Sequence, residues 1–212
     1  MKYPWIDEYL LSLRGVTKDL QPEWNWVRYH IGGKMFAAVC RDDANRPVYI
    51  TLKLEPTEGE FWRGQYPDII PGYYMNKLHW NSVKADGAVP EDVVKTLLGR
   101  ARRLVLQSLP KAKQREALGL SVCSTDCAAC PLHGTKCAGC NEACGKVFHA
   151  PAGKPCPIWA CCAGRHRFAT CGDCGEMPCA LWQATRDPSM TDEQFRASIE
   201  GRVRALEDAL GN

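Results

Sequence analysis

Short runs of aromatic and β-branched residues, separated by turn residues, dominate the first third of the chain. Such runs are typical of strands in an antiparallel sheet. In the first run Val27, Tyr29 and Ile31 alternate with more polar neighbours, as expected of a strand with one half-exposed face. The predicted strands are residues 25–31, 34–40, 47–54 and 77–85.

Apolar residues at helical spacing, flanked by helix start and stop signals, predict four helices. In the third, Pro90 lies in the first turn, and Glu91 and Asp92 follow where the helix dipole favours acids. The stretch 99–103 (GRARR) is predicted as the solvent-facing side of this helix. Helices on one side of an antiparallel sheet form a two-layer α+β fold. The predicted helices are residues 4–13, 55–67, 89–109 and 191–211.

The last helix carries the clearest boundary signals. Thr191 is its predicted N-cap, Gln194 completes a capping box, and Gly211 fits the C′ position. An apolar stripe along one side predicts packing against the rest of this chain. The stripe consists of Phe195, Ile199, Val203, Leu206 and Leu210.

Residues 120–180 differ from the rest, because apolar periodicity is weak and Gly and Pro are frequent. We expect this segment to bury little apolar core by itself and to need cross-links or metal for order. We therefore predict two domains: an α+β domain at 1–119, and a cysteine-rich metal-binding domain with a C-terminal helix at 120–212.

Composition and charge narrow the functional classes. Asp7 and Glu8 interrupt the apolar core that a signal peptide needs, and the longest apolar run, residues 35–40, is too short to span a bilayer. We therefore expect a cytoplasmic protein that does not enter membranes. Residues 1–119 hold 18 Lys and Arg against 14 Asp and Glu, a net +4, whereas residues 120–212 hold 9 against 10, a net −1. The basic first part permits an anionic partner.

Twelve of the 13 cysteines fall between residues 123 and 179. Three C-x2-C pairs occur among them, and two such pairs commonly build a tetrahedral all-thiolate zinc site. The sequence therefore predicts zinc, two to three ions, with His133 and His149 able to replace a sulfur. The predicted ligands are Cys123, Cys127, Cys130, Cys137, Cys140, Cys144, Cys156, Cys161, Cys171, Cys174 and Cys179.

Other uses of these cysteines stay open. An iron–sulfur cluster also takes four thiolates at C-x2-C spacing, and the protein would then be a redox, sensor or soft-metal-handling protein. A disulfide framework is disfavoured in a reducing compartment. Cys161 and Cys162 are adjacent and would hardly serve one ion together, so Cys162 has no assigned role. Cys40 lies in an apolar strand and is expected in the core.

The stretches 32–39, 50–56 and above all 66–94 (YPDIIPGYYMNKLHWNSVKADGAVPEDVV) resemble the MmcQ/YjbR family. The resemblance covers about residues 3–109. It implies an antiparallel sheet with helices packed on it, similar to the frataxin fold. It also implies DNA binding through a double-wing surface, with double-stranded DNA as the expected partner.

Residues 120–182 resemble a cysteine-rich family of unknown function that occurs alone or fused to an MmcQ/YjbR domain. This resemblance implies zinc binding and a two-domain fusion, but no reaction. No GxSxG, HExxH, P-loop or dinucleotide fingerprint occurs, so the sequence offers no catalytic residue.

The residues of the first domain suit nucleic-acid chemistry, since cations can contact phosphates and Trp80 could stack on a base. The alternatives are that Trp80 packs in the core and that Asn76 caps a turn. The predicted nucleic-acid-binding residues are Lys53, Arg63, Lys77, His79, Trp80 and Lys84.

Overall fold

A computed structural model describes residues 2–127 and 130–210 of the chain. The chain divides into two compact units, Met1–Leu109 and Pro110–Asn212. This division lies before the predicted boundary at residue 119, because a helix at Lys111–Leu118 packs within the second unit. Its Arg115 donates to the carbonyl oxygen of Ala169 (3.2 Å) and lies over the ring of Trp159.

One antiparallel sheet forms the centre of the first unit. Among the described residues it has six strands in the order β1-β2-β3-β4-β6-β5. The four predicted strands are confirmed as β2, β3, β4 and β6, whereas β1 and β5 were not predicted. The strands are β1 (Val16–Gln21), β2 (Trp26–Ile31), β3 (Lys34–Arg41), β4 (Pro47–Lys53), β5 (Ile69–Pro71) and β6 (Trp80–Lys84).

Strand register separates two faces of the sheet. Val39 pairs with Ile50, which pairs with Val83, and all three are buried. Their neighbours Cys40 and Tyr49 point to the opposite face, because side chains alternate along a strand. We call that opposite side the open face.

Helices pack on the other side of the sheet, which confirms the predicted two-layer α+β fold. The long helix α3 contacts β2, β3 and β4. It buries Val94, Leu97, Leu98, Val105 and Leu106, at the spacing of one helical face. The helices of this unit are α1 (Ile6–Ser12), α2 (Pro56–Gln65) and α3 (Glu91–Gln107).

The predicted solvent-facing stretch of α3 is only partly exposed. Arg100 is exposed and pairs with Glu58 (2.6 Å). Arg102 is 2% exposed and donates to the carbonyl oxygen of Arg14 (2.5 Å), so the prediction is wrong for this residue. Burial lowers the pKa of Arg102 to about 10. A guanidinium can be buried here because a backbone acceptor meets it.

The second unit consists mainly of turns held between helices. Its elements are α4 (Lys111–Leu118), α5 (Pro157–Trp159), a π-helical turn (Ala160–Arg165), a 3₁₀ turn (Cys171–Asp173), α6 (Ala180–Ala184) and α7 (Asp192–Leu210). None of the helices in the described ranges 2–127 and 130–210 is both long and apolar enough to cross a membrane.

This unit buries more apolar surface than its sequence suggests. Trp159 and Trp182 are buried, as are Val122, Val147 and Ile158. Trp182 and the flanking helices lie outside residues 120–180, so the expectation that this segment buries little apolar core by itself stays a prediction.

The C-terminal helix begins as predicted. The Thr191 N–H donates to the Gln194 side chain (3.0 Å), and the Gln194 N–H donates to the Thr191 hydroxyl (3.2 Å), which completes the capping box. Its stripe faces inward, with Leu206 and Leu210 buried. The predicted C′ residue, Gly211, lies outside the described residues.

Candidate functional site

Four cysteines of the second unit form a first thiol cluster, two of them from the loop at 119–127 and two from later in the chain. The Cys140 thiol is hydrogen-bonded to Cys127, and Cys123 and Cys156 lie close enough to act on it electrostatically. The first thiol cluster therefore takes one sulfur from each of two C-x2-C pairs and two from single cysteines. Four thiols match the donor set of a tetrahedral thiolate site.

Backbone hydrogen bonds around Gly145 position two members of this cluster. The Gly145 N–H donates to the Cys140 carbonyl oxygen (2.9 Å), and the Cys156 N–H donates to the Gly145 carbonyl oxygen (2.8 Å). Gly145 has a φ of +77°, and an added Cβ would overlap the ring of Trp159. Only glycine fits this backbone conformation and this space.

A second thiol cluster surrounds a small cavity of about 30 Å³. The Cys162 thiol is hydrogen-bonded to Cys171, and the buried indole of Trp182 donates to Cys171. The Cys171 N–H donates to the carbonyl oxygen of Val122 (2.7 Å), which fixes the start of the 3₁₀ turn. The cysteines lining the cavity are Cys161, Cys162, Cys171, Cys174 and Cys179.

The environment changes the acidity of these thiols. Burial raises the pKa of Cys140, and the neighbouring Cys127 adds to this effect. The hydrogen bond to Cys171 raises the pKa of Cys162, and burial acts in the same direction. The same hydrogen bond lowers the pKa of Cys171, so Cys171 is the more acidic thiol of the pair.

The predicted ligands are thus brought together in part. Cys123, Cys127, Cys140 and Cys156 share the first cluster. Cys161, Cys171, Cys174 and Cys179 share the second with Cys162, which the sequence left without a role. In the described part of the chain, no group of three or more Cys, His, Asp or Glu side chains is arranged as a metal-binding site.

The remaining predicted ligands lie elsewhere. Cys144 is exposed. The backbone of Cys137 forms an isolated β-bridge with that of His133. The His133 N–H donates to the Cys130 carbonyl oxygen (3.0 Å). His149 lines a groove of about 820 Å³ together with Cys123 and Cys156, so it is placed beside the first cluster.

Cys40, in the first unit, occupies the core as predicted. It is 1% exposed, and its sulfur lies 3.6 Å from the Thr51 hydroxyl. Burial raises its pKa to about 11, which is typical of an unreactive thiol.

Three of the predicted nucleic-acid-binding residues lie on the open face of the sheet. In the register of β4 and β6, Lys53 lies opposite Trp80 and Lys84 lies opposite Tyr49. Trp80 is half-buried, between the predicted alternatives of core and surface. Lys84 contacts Asp68 (2.9 Å).

The other three predicted residues have different surroundings. Arg63 donates to the Asn81 side chain, so its guanidinium is used within the fold. Lys77 and His79 lie in the segment before β6, which turns at Asn76. The Asn76 side chain accepts the N–H of Leu78 (2.9 Å), which confirms the turn-capping role.

Sequence reasoning missed the most conspicuous feature of the open face, a series of aromatic rings. It runs through Trp24, Trp26, Tyr74, Tyr73 and Tyr49. The signals were present as W-N-W at 24–26 and Y-Y at 73–74, but periodicity alone does not show that distant rings meet.

Comparison with known proteins gives matches for the first unit. The YjbR family model matches residues 11–104. The uncharacterized protein YjbR of Escherichia coli K12 is 27% identical over 108 residues, which is 51% of this chain and 90% of that protein. The uncharacterized protein YbdF of Escherichia coli O157:H7 is 33% identical over 87 residues, which is 41% of this chain and 70% of that protein.

Two solved structures are also similar to this chain. One is a Deinococcus radiodurans protein with the family domain DUF419, with a TM-score of 0.48, 30% identity, and coverage of 55% of this chain and 86% of that one. The other is a Pseudomonas syringae protein with a TM-score of 0.44, 20% identity, and coverage of 50% and 99%. The sequence matches establish the family: through residues 11–104, this chain belongs to the YjbR family.

Proposed function

We propose that this protein is a zinc-stabilised DNA-binding protein with a regulatory role. The proposed zinc binding is supported by the hydrogen bond between Cys127 and Cys140, with Cys123 and Cys156 close to Cys140. Cys123 and Cys127 lie in one loop, and Cys140 and Cys156 lie 13 and 29 residues after Cys127, so a bound ion would tie together backbone that has little regular structure. Thiolates are the donors that zinc and other soft metals prefer.

The second thiol cluster supplies a further site of the same chemistry. Its cavity of about 30 Å³ has the size of one ion or water, and five cysteines line it together with apolar side chains such as Ile158 and Phe168. One tetrahedral ion in each cluster would use eight thiolates, so we expect about two zinc ions per chain. That number is the lower of the two predicted from sequence.

Metal analysis of the intact protein tests the zinc proposal. The full chain is purified without oxygen or added metal, its metal content is measured, and its visible spectrum is recorded. About two zinc ions per chain and a colourless solution are expected, with a lower melting temperature after chelation. A protein that binds no metal, and whose stability a chelator leaves unchanged, contradicts the proposal.

A redox or metal-sensing protein is the second candidate function. Five cysteines line the second cavity, one more than a tetrahedral ion requires. An iron–sulfur cluster takes four thiolates and would colour the protein. Iron, inorganic sulfide and visible absorption in the anaerobic sample would favour this function over zinc.

The DNA half of the proposal is supported by the open face of the first unit. Lys53 lies on this face, and Lys77 lies in the segment between β5 and β6, whose Tyr73 is hydrogen-bonded to Ser82 of the same face. Neither ammonium group has a hydrogen-bond or ion-pair partner within the described residues, so both are available for phosphates. Lys84, in contrast, is paired with Asp68.

Salt-dependent binding tests the DNA half. Fluorescence anisotropy of a labelled oligonucleotide measures affinity at several salt concentrations. The Lys53→Ala, Lys77→Ala double variant should bind more weakly, with a slope of log K against log salt smaller by about 2, because two phosphate contacts are lost. Lys154→Ala, which removes an exposed lysine of the second unit, is the control. No binding at low salt contradicts the proposal.

A further inference from the structure

Five aromatic rings form a continuous series on the open face, which we call the aromatic platform. Trp24 contacts Trp26 (5.3 Å between centroids), and Trp26 contacts Tyr74 (5.3 Å). Tyr74 contacts Tyr73 (4.7 Å), and Tyr73 stacks on Tyr49 (5.0 Å, 22° between planes).

The platform is exposed although it is made of large apolar side chains. Trp24, Tyr73 and Tyr74 are 55%, 57% and 56% exposed. Trp26 beneath them is buried, so it supports the outer rings. Exposed apolar groups in contiguous patches mark binding surfaces, whereas scattered ones do not.

Strand pairing and a backbone hydrogen bond position the residues of the platform. Trp26 in β2 and Tyr49 in β4 both lie opposite Cys40, which is in the strand between them, β3. The Tyr73 N–H donates to the hydroxyl of Ser82 in β6 (3.1 Å), which fixes the segment that carries Tyr73 and Tyr74. Rings that are already ordered lose little conformational entropy when a ligand stacks on them.

Charged groups border these rings. Lys84 is the strand partner of Tyr49, and Lys53 is four residues further along β4 on the same face. Arg28, two residues from Trp26, pairs with Asp19 (2.8 Å). One acid, Asp43, acts on Tyr74 electrostatically. Lys84 is paired with Asp68, whereas the Lys53 ammonium has no hydrogen-bond or ion-pair partner within the described residues. Flat apolar ring faces near a free ammonium group suit a ligand that has both aromatic faces and phosphates.

We infer that the aromatic platform binds single-stranded nucleic acid by stacking its exposed rings on unpaired bases. This inference rests on the proposed nucleic-acid binding and replaces the expected duplex by a single strand. In a duplex the base faces are stacked on each other, and only base edges reach the grooves. A row of exposed rings beside lysines is instead the arrangement of surfaces that bind single strands.

Binding of the full chain to a labelled oligothymidylate and to a duplex of equal length tests the inference. The wild type should bind the single strand at least about 10-fold more tightly. Trp24→Ala and the Tyr73→Ala, Tyr74→Ala double variant should each weaken single-strand binding by about 5- to 100-fold, since each base stacked on a ring contributes this much. Phe148→Ala removes a similarly exposed ring (61%) of the second unit and should have no effect. Circular dichroism shows that each variant is folded.

Replacing Asp43 provides a second test, in which the affinity for the single strand should rise instead of fall. Asp43→Asn removes a negative charge near Tyr74, so it should strengthen single-strand binding by about 2- to 5-fold at low salt and by less at high salt. An unchanged affinity in this variant would place the strand away from Tyr74 and overturn the inference.

The outcomes separate the inference from the proposed function. Tighter binding to duplex, lost in the Lys53 and Lys77 double variant but kept in the ring variants, overturns the inference and supports DNA binding. Absence of binding to either oligonucleotide overturns both. A third outcome is that a proline-rich peptide quenches the tryptophan fluorescence and oligothymidylate does not. The platform would then be a peptide-binding surface, and the inference would be overturned.

Discussion

The guanidinium of Arg202 lies over the indole ring of Trp182, 4.2 Å from the ring centroid. The Nε of Arg202 also donates to the carbonyl oxygen of Cys123 (3.0 Å), and Trp182 donates to Cys171. A single side chain of α7 therefore contacts the backbone of the first thiol cluster and a ring that touches the second. The C-terminal helix thus helps to order both clusters.

This relationship predicts the effect of replacing Arg202. Arg202→Ala removes a hydrogen bond and the cation–π contact of a half-buried guanidinium with a buried ring, so the free energy of unfolding of the second unit should fall by about 2 kcal/mol. Arg202→Lys keeps a cation but loses the Nε donor, so its free energy of unfolding should lie between those of the wild type and Arg202→Ala. Urea denaturation of the full chain measures the change. Arg204→Ala, at an exposed position of the same helix, is the control, and an equal loss there would contradict this role.

Two cysteines that the sequence treats alike should differ in metal binding. Cys140 is hydrogen-bonded to Cys127, whereas Cys144 is exposed. Cys140→Ser should therefore lose about one metal ion per chain and melt at a lower temperature, since metal binding and folding are coupled. Cys144→Ser should keep the metal content of the wild type. Metal analysis after gel filtration measures both, and equal losses would contradict the proposed ligand set.

Most elements of the first unit were predictable from sequence, because their apolar residues repeat at strand or helix spacing. Strand β1 was not, since its residues are exposed or half-buried at the edge of the sheet and show no alternation. Helix α4 was missed because its sequence, KAKQREAL, is half charged and has a single large apolar residue, Leu118. Its one buried arginine, Arg115, meets partners that are distant in sequence.

The pairing of cysteines could not be predicted from spacing. The C-x2-C rule pairs Cys127 with Cys130, whereas the contact formed is between Cys127 and Cys140. Similarly, the choice between Cys161 and Cys162 depends on which side of the π-helical turn faces Cys171. Both outcomes depend on loop paths that local sequence does not determine.

Gly145 and Gly134 form a matched pair for testing how the first thiol cluster is built. Both have a φ of +77°, so alanine is strained at either position. An added Cβ at Gly134 meets nothing within 4 Å, whereas at Gly145 it overlaps Trp159. Gly134→Ala should therefore cost about 1 kcal/mol of unfolding free energy and Gly145→Ala about 3 kcal/mol, with weaker metal binding. Equal costs in thermal and urea unfolding would show that the Trp159 contact is unimportant.

Asp7 should make the first unit sensitive to acid. Its carboxylate accepts hydrogen bonds from Lys18 (2.7 Å) and Tyr29 (3.0 Å). The hydrogen bond with Lys18 is the main reason that the pKa of Asp7 is lowered from its ordinary value of 3.8. A lowered folded-state pKa gives stability that is fully present above the unfolded-state value and is lost as the pH falls through the folded-state value.

Asp7→Asn should therefore lower the free energy of unfolding by about 1 kcal/mol at pH 7, a modest amount because the side chain is half exposed. The difference between wild type and variant should shrink as the pH falls below 3.8 and vanish below the folded-state pKa of Asp7. Urea denaturation between neutral and acidic pH measures both curves. Glu8→Gln, at an exposed neighbouring position, controls for the loss of one negative charge. A constant difference between wild type and Asp7→Asn across the pH range would mean that ionisation of Asp7 does not stabilise the fold.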